Sequence, residues 1–89
     1  MPEPVIAPPP LEPALWRDFT GTRRDEAQMA QARDGCILEG NRWADDRAAR
    51  TLTQQAYMSG WAPRMEAAIA QGRVQHILNC MRTAGWEPA

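Results

Sequence analysis

Lysine is absent from this 89-residue chain, in which all ten basic side chains are arginine. Against them stand eleven acidic residues, for a formal charge of -1. The two signs are interspersed, so no basic face offers itself to nucleic acid or to an anionic membrane. Arginine's planar, multiply donating head suits contacts with other proteins. Long apolar runs are also missing, since nothing approaches the roughly eighteen consecutive apolar residues of a membrane-spanning helix. The start, "MPEPVIAPPP", has neither the basic lead nor the apolar core of a signal peptide. A reducing cytosol, or a particle assembled in one, is therefore the expected compartment. In that setting Cys36 and Cys80 are expected as buried thiols rather than as a disulfide.

Catalytic grammar is equally sparse. There is no glycine-rich phosphate loop, no dinucleotide fingerprint and no paired CxxC or HxxxH. His76 and Cys80 share a helical face at i, i+4, and Cys36 or Asp45 could complete a metal set, yet a lone histidine beside an apolar stripe is more simply a boundary residue. Cys–His nucleophilic catalysis would need an orienting third group and a cleft, and a chain of this size offers little room for one. Adjacent Asp45 and Asp46 could be a general acid and base only if one carboxyl were pushed up by burial or repulsion. Adjacent acids at a helix start are normally solvated and ionised. No catalytic residue, metal ligand, cofactor or small-molecule substrate is expected. A helix-turn-helix over 48–81 would present "RVQHILNCMR" to DNA, with few base-reading side chains.

What remains is structural punctuation. Residues 1–14 hold six of the eight prolines, which excludes helix and central strand and leaves an extended arm. In the polyproline II form this arm reaches roughly 40 Å. Val5, Ile6 and Leu11 give it apolar side chains suited to lying along another protein, and Trp16 and Phe19 follow at i, i+3, placed to anchor its end to the body. A helix is expected from Thr22 as N-cap, with Asp25 and Glu26 in the first turn and Gly35 as its stop. The stretch "CILEGNRWA" then reads as a short β-hairpin at about 36–44, turning at Gly40-Asn41. Asp45 and Asp46 stand where they would cap the next helix, which Gly60 closes. Pro63 opens the final helical third. Gly72 either divides that third or lies within one helix, and its cost of about 1 kcal/mol favours division.

"SGWAP" at 59–63 and "AGWEP" at 84–88 each place glycine one residue past a helix, tryptophan next and proline two further on. This is the pattern of a left-handed helix stop with an apolar contact, which would fold Trp61 over Ala56 and Trp86 over Met81. The expected fold is mainly α: a small helical domain over 15–89 with one short β-hairpin, behind a proline-rich arm.

Over residues 32–56, Arg33, Asp34, Gly35, Gly40, Arg42, Trp43, Asp46, Ala49 and Arg50 form a pattern that resembles a domain of unknown function found in bacteriophage tail-fibre and tail-fibre-assembly proteins. The resemblance implies a helix ending in Arg-Asp, a hairpin, and an Asp-capped helix, in a virion or assembly context with no catalytic residues to carry over. The expected function is that of a virion structural or assembly protein. It would bind other virion proteins, or itself as a homo-oligomer, through Val5, Ile6, Leu11, Trp16, Phe19 and Trp86. Its location would be the virion, or the host cytoplasm before assembly. The alternative is a small phage-encoded inhibitor or regulator that binds a host protein complex.

Overall fold

Two long antiparallel helices, joined at one end by a short third helix and closed at the other by two paired strands, make up the fold in a computed structural model that describes residues 12, 13 and 15–89. The elements run β1 (Trp16–Asp18), α1 (Glu26–Thr51), α2 (Gln54–Met58), α3 (Ala62–Thr83) and β2 (Trp86–Pro88). The body measures 52 × 27 × 16 Å. It is mainly helical with one antiparallel strand pair, which is the expected fold class. Most of the arm, including Val5, Ile6 and Leu11, lies outside the described residues.

The strand pair is not where the turn signals put it. Residues 36–44 are the middle of α1, unbroken through Gly35 and Gly40-Asn41. The reason lies in packing. Residues 36, 40, 43 and 47 recur at helical spacing and turn one face of α1 toward α3. Gly40 is buried, and a Cβ built on it would stand 2.7 Å from Ile77 Cγ1. Glycine therefore serves there as a slot for isoleucine rather than as a turn. Gly72 plays the reciprocal part. It lies inside a single helix, because the Trp43 ring occupies the space where its side chain would be. Large side chains from each helix thus enter glycine gaps on the other, which lets the backbones approach closely and offsets the helix-propensity cost of both glycines.

The helix ends also depart from expectation at two points. Asp25, not Thr22, caps α1: its carboxylate accepts from the Gln28 backbone at 2.8 Å while Gln28 Oε1 accepts from the Asp25 backbone at 2.9 Å. Thr22 is engaged instead with Thr20 and Asp18. Asp45 and Asp46 lie within α1 rather than before a helix, and Asp46 pairs with Arg50 one turn on. The glycine stops stand as expected. Gly60 (φ 76) donates to Tyr57 O and Trp61 to Ala56 O, and Gly85 (φ 94) donates to Arg82 O. Pro63 sits in the first turn of α3.

Cys36 and Cys80 form a disulfide across the α1–α3 seam, with Cα atoms 5.6 Å apart. This corrects the expectation of free thiols. Compartment reasoning cannot see that the two sulfurs face each other across a close helix pair. Around the bridge lie Trp16, Ile77, Met81 and Trp86, flanked by Met29, Ala32, Ile37 and Leu78. The strands pair Trp16 with Pro88, Arg17 with Glu87 and Asp18 with Trp86. That register turns both tryptophans inward onto the helices.

Candidate functional site

The strand end of the molecule is a closed clasp built on Arg24. Its guanidinium grips both oxygens of Asp18, at 2.9 and 3.0 Å. It also donates to the Ala84 and Gly85 carbonyls at 2.7 and 3.1 Å, and lies 4.3 Å from the centre of the Trp86 ring. One side chain thereby satisfies carbonyls at the C-terminus of α3, where the helix dipole favours a cation, and covers an indole face. Asp18 accepts further bonds from Thr20, Thr22 and the Arg24 backbone. Arg24, then Thr20, hold its carboxyl well below the usual carboxylate range. A carboxylate so fully engaged has no lone pair to spare for proton transfer.

This clasp absorbs two of the side chains expected to meet a partner. Trp16 and Trp86 are 8% and 3% exposed and belong to the core, so they hold the chain's two ends onto the helices instead of projecting to another protein. Phe19 does project, at 52%. Val5, Ile6 and Leu11 fall outside the described residues. The residues weighed for metal or nucleophilic chemistry are placed just as plainly. Both sulfurs are committed to the disulfide. The His76 ring stacks on Trp43 with centroids 6.1 Å apart.

The opposite end has another character. Residues 51–63, "TLTQQAYMSGWAP", contain no charged side chain. They form the turn from α1 through α2 into α3. Thr53 caps α2 by accepting from the Ala56 backbone, and buried Ala56 and Ala62 seat this segment on the helices. Seating it leaves the larger side chains outside: Tyr57, Met58 and Trp61 are 58%, 80% and 56% exposed. The Trp61 ring stays largely exposed even though its backbone makes the stop-motif bond to Ala56 O at 3.0 Å. The Tyr57 hydroxyl donates to Glu66 at 3.2 Å, which orients the ring and raises the phenol above its ordinary pKa. An aromatic pair with a methionine, uncharged and flanked in sequence by Arg50 and Arg64, has the composition of a protein-interface centre with a polar rim. Sequence reasoning passed over this patch by treating Trp61 as a seal. The absence of charge across 51–63 was the available signal.

Just below the tip, Trp43, Arg47 and Thr51 of α1 and Met65, Ala68 and Ile69 of α3 line an open notch of about 210 Å³. Among the described residues no helix is long and apolar enough to cross a membrane. Comparison with protein-family models, curated proteins and solved structures finds no match.

Proposed function

We propose that this chain is a protein–protein interaction module of a bacteriophage particle, a structural or assembly component associated with the tail or tail fibre, that presents the neutral aromatic tip of a disulfide-braced helical hairpin to another virion subunit. The observation that carries the reading is the joint exposure of Tyr57, Met58 and Trp61 on a segment without charge. Apolar and aromatic area held outward on a small, rigid element favours association, because ordering it on binding costs little entropy. The setting rests on the resemblance of residues 32–56 to a domain of tail-fibre and tail-fibre-assembly proteins alone, and the helix–hairpin–helix which that resemblance implies is here one continuous helix through Thr51. The Cys36–Cys80 bridge favours a particle that meets an oxidising exterior over an inhibitor confined to a reducing cytosol. Nothing in this role calls for catalysis or a cofactor.

The test is a phage carrying the triple substitution Tyr57→Ser, Met58→Ser, Trp61→Ser, scored for copies of this protein per purified particle. Incorporation should fall severely while the free variant keeps its helical circular dichroism. Normal copy number in the triple variant overturns the proposal.

A further inference from the structure

Independently of the tip, we infer that the Cys36–Cys80 bridge exchanges with external thiols through Cys80 rather than Cys36, and that the Glu39 carboxylate beside it admits cationic thiols and turns away anionic ones.

The two sulfurs stand in different surroundings. Cys36 is 4% exposed and clusters with Trp16, Ile77, Met81 and Trp86. Cys80 is half-buried and lines an open recess of about 460 Å³ with Glu39, His76, Asn79 and Thr83. Thiol–disulfide exchange begins when a thiolate strikes one sulfur and expels the other, so access selects the sulfur that is struck. A thiolate arriving from solvent reaches Cys80 and forms the mixed disulfide there. It expels Cys36 as a thiolate, which takes up the proton that the reagent gave to solvent. A second thiolate strikes the reagent sulfur of the mixed disulfide, giving the reagent's own disulfide and expelling Cys80, which is protonated in turn. Two thiols are oxidised, and the same two electrons reduce the bridge.

Glu39 guards that approach. It shares a face of α1 with Cys36 at i, i+3, and its Oε2 stands 3.4 Å from Cys80 Sγ. In the bridged form that sulfur has no proton to donate, so the contact is a carboxylate held against the atom to be struck. After reduction the same oxygen can accept from the Cys80 thiol. No arginine lines the recess, and among the described residues Glu39 has no ion-pair partner. His76, the other titratable side chain there, stacks on Trp43. Readily exchanging cysteines sit in electropositive surroundings, and this one has the reverse. An incoming thiolate meets negative charge close to its target, and an anionic group elsewhere on the reagent adds to the repulsion. A reagent with a cation beside its sulfur is drawn to the same carboxylate. The bridge is thus shielded from anionic thiols and open to a thiol set among basic groups.

Reduction of the intact chain by cysteamine, 2-mercaptoethanol and 2-mercaptoethanesulfonate, which are cationic, neutral and anionic, tests this. Each rate is expressed per thiolate at low ionic strength and divided by the same reagent's rate with a small neutral disulfide, which removes differences in intrinsic nucleophilicity. The normalised rates should fall in that order, by about tenfold from first to last. Salt at about 0.5 M should compress the span. Glu39→Gln should bring the three rates to within about twofold of one another. Glu26→Gln makes the same change of net charge roughly 15 Å along α1 from Cys36 and should leave the order intact. Acid quenching and peptic mapping should find the reagent on Cys80. Normalised rates that ignore reagent charge overturn the inference, as do an order that survives Glu39→Gln or adducts on Cys36. A rate that does not rise with thiol concentration, the mark of reduction through global unfolding, overturns it too. Each of these outcomes leaves the particle-incorporation test of the tip untouched, so the two readings fail separately.

Discussion

Trp43 of α1 lies across the bare backbone of Gly72 in α3, in the space where any other residue would carry a side chain. This contact and its reciprocal, Ile77 over Gly40, set the approach of the two helices and decide which glycines are indispensable. Gly72→Ala and Gly40→Ala should each destabilise by about 1–3 kcal/mol, since an added methyl would collide with an indole or with a side chain only 1% exposed. Gly35 is the internal control. It is helical with nothing within 4 Å of a Cβ, so Gly35→Ala should stabilise by about 0.5–1 kcal/mol. Urea unfolding of the three variants checks the order.

The same contacts explain what could be read from the sequence. Helix stops at Gly60 and Gly85 were legible because a left-handed glycine followed by Trp and then Pro two residues later is a local instruction, independent of anything distant. Gly40-Asn41 and Gly72 carry the same letter with the opposite meaning, and only the partner helix distinguishes a slot from a turn. The strands were illegible for another reason. Three residues cannot display alternation, and Arg17 meets Glu87 from the far end of the chain. The disulfide was hidden by compartment reasoning. The neutral tip was visible as a gap in charge, but the stop motif drew attention to Trp61 as a seal.

Replacing both cysteines, as Cys36→Ser with Cys80→Ser, removes a cross-link closing a sequence separation of 44 residues. Chain-entropy reasoning places the loss near 4 kcal/mol, within a common range of about 2–5. The double variant, or the native protein under reductant, should melt well below the oxidised form. Calorimetry with and without reductant measures the difference.

Acid should loosen the clasp. Asp18 has a folded pKa held below its ordinary value of 3.8, chiefly by Arg24. Its contribution is therefore fully present above that value and is lost as pH falls below about 4 toward the folded pKa. Asp18→Asn should lower the melting temperature at pH 7 and flatten its fall between pH 4 and pH 2. Arg17→Ala, which breaks a pair with side chains 67% and 37% exposed, should change the melting temperature little. Thermal melts of the three proteins across that pH range decide it.

At the tip, Trp61→Ala should leave stability nearly unchanged, because the ring is 56% exposed. It should weaken partner binding by about 2 kcal/mol, roughly thirtyfold, if Trp61 anchors the contact. Tyr57→Phe removes only the hydrogen bond to Glu66 and should weaken binding less. Titration calorimetry against the captured partner, beside thermal melts of each variant, separates affinity from folding.

The most direct measurement places a photo-reactive amino acid at Met58 on the tip and, separately, at exposed Gln31 on the shaft of α1, in protein assembled into particles. Illumination should join position 58 to another virion subunit in high yield and position 31 to little or nothing. Efficient cross-linking from position 31 with a silent position 58 would contradict the account.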